Sequence, residues 1–259
     1  MFSFFRKKDV QEPQTTKKCV VEEFEDVAGV ARYFKDETGV TFDNQESILK
    51  NKLKSFCKQR DICSFDELLS KIDINSTLKQ ELIDTLTTNE TFFYREFKQI
   101  KQLVELVEQD SKKVDILCAP CSTGEEPYSI AIALLEAGVS EDRFSIVGID
   151  INQSAIDKAK EAVYKERNVR NLSDIVLQNY FRKSGDEFIL NDNISSKVSF
   201  RVANIFDNSF KSIGKFDYIF SRNMLIYFDY ETKLKAKKIL ESLRKDETHE
   251  VFFGHADLF

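Results

Sequence analysis

Cys118-Ala119-Pro120-Cys121-Ser122-Thr123-Gly124-Glu125-Glu126-Pro127-Tyr128-Ser129 is the stretch on which the fold turns. It follows a five-residue apolar run, residues 114–118, and precedes Ile130, Ala131, Leu134 and Leu135, which recur at helical spacing until Gly138 stops them. In an open α/β sheet, ligands bind where a strand passes through a turn of small residues into a helix, because backbone N–H groups allow close approach there. Pro127 suits the first helical turn, and Glu125 and Glu126 put carboxylates at its positively polarised end. Helix capping alone would use the same residues. Two chemistries compete for the segment: a Cys-x-x-Cys redox pair and a cofactor loop ending in Gly-Glu-Glu-Pro.

Outward from this junction the pattern is one of strands alternating with helices. A helix carrying Ile100, Leu103, Val104 and Val107 precedes it; residues 144–149 form the next strand, and Ser154 caps a helix bearing Ile156, Ala159 and Val163. Residues 216–220 read as a third core strand. A helix with Ala236, Ile239, Leu240 and Leu243 then leads into Val251-Phe252-Phe253. Alternation of this kind implies a parallel, doubly wound sheet. Residues 188–190 and 198–203 read as two strands of an inserted hairpin, joined by the polar residues 191–197. Upstream, Phe24, Val27, Ala28, Ala31 and Phe34 are helically spaced, and Asp43 with Glu46 signals the start of a helix carrying Leu49, Leu53 and Phe56. Ser64 with Glu67 makes a capping box, and Ser76 caps a fourth helix with Leu78, Leu82, Ile83 and Leu86. The expected organisation is a disordered leader (residues 1–20), an all-helical domain (21–88) and an α/β domain (89–259) with its insert at about 173–203.

Composition narrows the function classes. Hydrophobic residues at 42% and charged residues at 32% exclude wholesale disorder, and no apolar run approaches the length of a membrane span. The N-terminus lacks a signal-peptide h-region, so a cytoplasmic protein with no membrane insertion is expected. A net charge of −6 argues against broad nucleic-acid binding. The five cysteines are expected to be reduced, and His249 and His255 are too few for an ordinary His/Cys zinc site.

Asp150, closing Gly148-Ile149-Asp150, follows Gly124 by 26 residues, near the roughly 20-residue offset of an acid that hydrogen-bonds ribose hydroxyls. A turn aspartate before Asn152 is its plainer reading. The loop lacks the full G-x-G-x-x-G pattern, which suits a ligand with ribose but no pyrophosphate. S-adenosylmethionine is such a ligand, and Glu126 suits its cationic groups.

The chain also resembles a known family. Residues 89–96 (NETFFYRE), 122–129 (STGEEPYS), 148–151 (GIDI) and 216–229 (FDYIFSRNMLIYFD) are similar, in order, to the motifs of the bacterial chemotaxis receptor methyltransferases, the CheR family, and Gly254-His255-Ala256 resembles their closing Gly-His-Ser. The resemblance covers residues from about 24 to 259. It implies a Rossmann-like S-adenosylmethionine-dependent methyltransferase sheet with a small helical N-terminal domain and an inserted β-hairpin subdomain. The implied reaction is methyl transfer to glutamate side chains on the cytoplasmic helices of chemoreceptors, with S-adenosylhomocysteine as product. Implied cofactor contacts are Asn89, Thr91, Arg95, Glu126, Asp150, Asn204, Ile205, Asn223 and Met224; Arg95 and Tyr227 are the residues expected to orient the attacking carboxylate. A surface Arg and a core Tyr are the plainer readings of those two.

Lys50, Lys54 and Lys58 recur every four residues on one N-terminal helix, opposite its apolar side, and suit docking of an acidic receptor helix. A solvated face gives the same pattern. The inserted hairpin is short, with little glycine beyond Gly185, so tethering of a receptor-tail peptide is not expected. Two departures from the family stand out: Ala119-Pro120-Cys121 replaces an Ala-Gly-Cys run, and with the sequence ending at Phe259 the last strand of a seven-stranded sheet is not expected. A thiol oxidoreductase using Cys118 and Cys121 and a cofactor-binding adaptor without turnover are the competing functions.

Overall fold

The computed structural model describes residues 23–43 and 45–257; the expected leader and Cys19 lie outside them. Four helices come first: α1 (Ala28–Thr38), α2 (Glu46–Lys58), α3 (Phe65–Ile74) and α4 (Ser76–Leu86). Their apolar faces share one core that includes Phe34, Leu53, Phe56, Leu68 and Leu82. Ser64 caps α3 as its spacing predicts, its hydroxyl accepting the Glu67 N–H at 3.0 Å. Two other starts differ from expectation. No side chain caps α2, which begins after Gln45, so Asp43 does not serve there. At α4 the cap is Asn75, whose Oδ1 accepts the Leu78 N–H at 3.0 Å; Asn75 has the extended backbone a cap needs, whereas Ser76 is already helical.

The rest of the chain runs α5 (Phe97–Gln109), β1 (Val114–Cys118), α6 (Glu125–Glu136), β2 (Phe144–Asp150), α7 (Gln153–Glu161), β3 (Val163–Lys165), α8 (Glu166–Val169), α9 (Asp174–Tyr180), β4 (Phe181–Ser184), β5 (Glu187–Leu190), α10 (Asp192–Ser195), β6 (Val198–Val202), β7 (Tyr218–Ser221), α11 (Tyr230–Ser242) and β8 (Val251–Phe253). Among the described residues the main sheet has five strands in the order β6-β2-β1-β7-β8, all pairs parallel. The pleat sorts side chains between two cores. Val114, Ile116 and Cys118 of β1 join α5 and α6 on one face, while Leu117 joins Ile219 and the Ala236, Ile239 and Leu240 face of α11 on the other. Each fully buried Leu or Ile contributes about 1.5–3 kcal/mol.

Because β1 connects first to β2 on one side while β7 pairs on its other side, the carboxyl ends of β1 and β7 meet at a topological switch point, where α/β sheets leave a crevice. The loop after β1 is drawn tight against the sheet. Gly124 has φ +92°, and a Cβ there would lie 2.9 Å from the Cβ of Ala159; at Gly148 it would lie 2.7 Å from the Phe200 ring. Small residues are therefore required on both sides of this corner.

The insert is arranged differently from the expected hairpin. β5 pairs antiparallel with β4 across Gly185, and with β3 on its other edge, whereas β6 leaves the insert and adds to the main sheet parallel to β2. Val163 was expected on a helix, but Ala162 adopts φ 53° and ends α7, so Val163 begins β3. Ser154 does not cap α7: Asn152 Oδ1 accepts the Ala155 N–H at 2.7 Å. The Ser154 hydroxyl instead donates to Asp84 of α4 at 2.6 Å, and Asp84 also accepts the N–H groups of Gln153 and Ser154. The helical unit is thereby fixed over the carboxyl edge of the sheet.

Candidate active site

A cavity of about 330 Å³ lies at the switch point, walled by α2 and the 86–95 segment above and by the loops after β1, β2, β6 and β7 below. Asn89, Thr91, Arg95, Glu126, Asp150, Asn204, Ile205, Asn223, Met224 and Tyr227 all line it, although they come from five separate segments of sequence.

Asp150 ends β2 and is 5% exposed. Its Oδ2 accepts the Ser122 N–H at 2.8 Å and its Oδ1 the Asn152 N–H at 2.9 Å, which fixes the carboxylate at the cavity floor and leaves lone pairs for further donors. Burial pushes its pKa up to about 6, and these backbone donors restrain the rise.

Glu126 stands in the first turn of α6, also buried. Its Oε2 accepts from Arg222 Nε, and its Oε1 has no partner in hydrogen-bond geometry among the described residues. Burial pushes the carboxyl up, and the Arg222 guanidinium pulls it back. Ser122 Oγ is a second buried cavity-lining oxygen without a partner. Unsatisfied buried polar atoms are uncommon, and two at one cavity are what a ligand carrying N–H and O–H donors would satisfy. The amino group and ribose hydroxyls of S-adenosylmethionine fit that donor set, with Asp150 beside them.

Arg95 is half-buried, its Nη1 donating to the Glu90 carbonyl at 2.9 Å. Tyr227 enters from the short 3₁₀ turn after β7; its carbonyl accepts from the Thr41 N–H at 2.8 Å, joining the β7 loop to the helical unit. Asn204 makes a similar link, its amide donating to the Glu37 carbonyl at 2.5 Å. Asn223, at φ 59°, gives its N–H to Asp257, whose other carboxylate oxygen accepts the Ile226 N–H at 3.3 Å.

Sequence reasoning misses Arg222 and Asp257. An arginine directly after the four fully buried residues of β7 was the available signal for the first. For Asp257, three residues beyond Gly254, no local signal exists.

Lys50, Lys54 and Lys58 do not line the cavity; Lys52 does. Lys50 and Lys54 are half-buried and flank the core face of α2 rather than opposing it, whereas Lys58 is exposed, as are Asn51 and Ser55. Lys50 also pairs with Glu25 at 2.9 Å. Cys118 and Cys121 are free, buried thiols, their pKa values raised by burial and further by Glu126 and Asp150. A redox pair needs an accessible, easily ionised thiol, so the oxidoreductase reading is set aside. Cys63 is disulfide-bonded, contrary to the expectation that all thiols are reduced.

Residues 89–259 match the family described as CheR methyltransferase, SAM binding domain. Fold, cavity and match together define a Rossmann-like methyltransferase with S-adenosylmethionine as its cofactor. The chain is 38% identical over 222 residues to a chemotaxis protein methyltransferase of Campylobacter jejuni, covering 85% of this chain and 84% of that one. It is 32% identical to chemotaxis protein methyltransferase 2 of Vibrio cholerae (87% and 82% covered) and 35% identical to chemotaxis protein methyltransferase 1 of Pseudomonas aeruginosa (73% and 74% covered). The chain belongs to the CheR methyltransferase family.

Proposed function

We propose that the protein transfers a methyl group to glutamate side chains on the cytoplasmic helices of chemoreceptors, forming glutamyl methyl esters in chemotactic adaptation. The observation that carries this reading is the convergence of Asp150, Glu126, Arg95 and Tyr227 on one cavity. The names of the relatives support the receptor as substrate.

When bound, the cofactor supplies an electrophilic methyl group on a sulfonium sulfur. Asp150 binds the ribose hydroxyls and Glu126 the amino group, with Asn89, Thr91, Asn204, Ile205, Asn223 and Met224 completing the contacts. A glutamate carboxylate is ionised near neutral pH and is itself the nucleophile, so no general base is assigned. Arg95, anchored through one Nη, offers its remaining donors to that carboxylate in charge-assisted hydrogen bonds. The Tyr227 hydroxyl orients the same group. Rate acceleration then comes from positioning and from the desolvated charge environment.

In this reading the protein works in the cytoplasm with no nucleic-acid partner. No helix among the described residues is long and apolar enough to cross a membrane. The receptor helix docks along Lys50, Lys54 and Lys58, and no receptor-tail peptide is held at β3, β4 and β5.

The test is incubation of receptor cytoplasmic fragments with methyl-labelled S-adenosylmethionine. Label released by mild alkali is expected, reduced about tenfold or more by Arg95→Ala or Tyr227→Phe. Alkali-stable label, or none from folded protein, would overturn the reading. Joint replacement of Lys50, Lys54 and Lys58 by glutamate should impair methylation at unchanged cofactor affinity; undiminished methylation would remove the docking face. A micromolar dissociation constant for a receptor C-terminal pentapeptide would contradict the absence of a tether.

A further inference from the structure

Arg222 follows the last residue of β7 and is 6% exposed. Its guanidinium joins three pieces of the cavity wall. Nε donates to Glu126 Oε2 on α6; Nη1 donates to the Arg95 carbonyl at 2.8 Å and reaches the Glu96 carbonyl at 3.4 Å and Gln99 Oε1 at 3.5 Å. The segment it grips is not held by its own backbone preference, since Tyr94 and Glu96 sit at φ 57° and 48°, a region costly for non-glycine residues. Its other tethers are the Tyr94 N–H to Ser129 Oγ at 3.0 Å and the Glu96 carboxylate to the His255 N–H at 3.2 Å.

We infer that Arg222 is a positioning residue for the amino-acid end of the cofactor: it holds Glu126 as an oriented carboxylate facing the ligand's ammonium group, and it sets the turn that delivers Arg95. The inference rests on the cofactor reading above. Three features make arginine necessary. A planar fork can serve a carboxylate and a carbonyl at once, which a single ammonium cannot. A buried carboxyl without a cation beside it takes up a proton and loses its attraction for an ammonium ligand. Arg222 itself follows β7, while its partners lie on α6 and at the start of α5, so no local hydrogen bond replaces the connection.

The nucleoside end of the ligand should be insensitive to this arrangement, because Asp150 is held by the Ser122 and Asn152 N–H groups instead. Calorimetric titration with two ligands separates the ends: S-adenosylhomocysteine carries the amino acid, and 5′-methylthioadenosine keeps the adenosine and sulfur but lacks it. Arg222→Met should weaken S-adenosylhomocysteine by about tenfold or more while 5′-methylthioadenosine changes by less than about twofold. Arg222→Lys should fall between wild type and Met. In a Glu126→Gln background, which removes the charge that Met would strand, the same Arg222→Met change should cost less than about threefold. Equal weakening of both ligands would mean that Arg222 merely supports the fold, and no weakening of either would mean it does nothing for the site; each overturns the inference. If the folded wild type bound neither ligand, the cofactor reading would fall first, and this inference with it.

Discussion

In the proposed reading, burial and ligand recognition oppose each other at Asp150. Its folded pKa of about 6 lies above the usual 3.8, so the folded chain holds this proton more tightly than the unfolded chain. Stability from this group is therefore present at low pH and lost as pH rises through the interval from 3.8 to about 6, a cost of roughly 3 kcal/mol at neutral pH. Ligand binding runs the other way, because only the ionised form accepts hydrogen bonds with both oxygens. The affinity for S-adenosylhomocysteine should be flat above about pH 7 and fall by up to about tenfold per pH unit below about 6. Calorimetry between pH 5 and 8 checks this, and a level profile would contradict it. That Asp150 and Glu126 line the cavity was legible in the sequence from their positions at one strand end and one helix start. Arg222 and Asp257 were not, since their partners lie 96 and 34 residues away and only the folded chain brings them together.

At the scale of elements, α7 shows how the two structural units are joined. Asn152 caps this helix and, from the same side chain, donates to the Asp84 carbonyl at 3.1 Å and to Thr87 Oγ1 at 2.8 Å. It is 1% exposed, so removing the amide leaves buried partners unsatisfied. Asn152→Ala should cost roughly 2–3 kcal/mol and lower Tm by about 5–10 °C in a thermal melt. A change within about 1 °C would show that the junction does not carry stability. β1 and β2 were readable because each is a buried run between polar turns. Cap positions were harder: Asn75 and Ser76 at α4, or Asn152 and Ser154 at α7, are all competent caps, and backbone conformation decides between them. The insert was misread for a different reason. β5 finds its second partner in β3, more than 20 residues back, and β6 pairs with β2 about 50 residues away, while sequence reasoning favours neighbours.

At the scale of the molecule, the cavity belongs to neither unit alone. The helical unit supplies its roof from α2 and the 86–91 stretch, and the sheet supplies its floor at the switch point. Asp84 with Ser154, Glu37 with Asn204 and Thr41 with Tyr227 lock the two together around it. This division was foreseeable as helices followed by alternating strands and helices. The way the first unit closes over the second was not, because it depends on hydrogen bonds between surfaces that the periodicity of either unit leaves unspecified. In the proposed reading this shared cavity is the cofactor site, and Asp150 anchors it. The most direct measurement is a calorimetric titration of wild-type protein and Asp150→Ala with S-adenosylhomocysteine. Wild-type protein should bind with micromolar affinity, weakened about tenfold or more in the variant with its fold retained. Equal binding by both proteins, or none by the folded wild type, would contradict it.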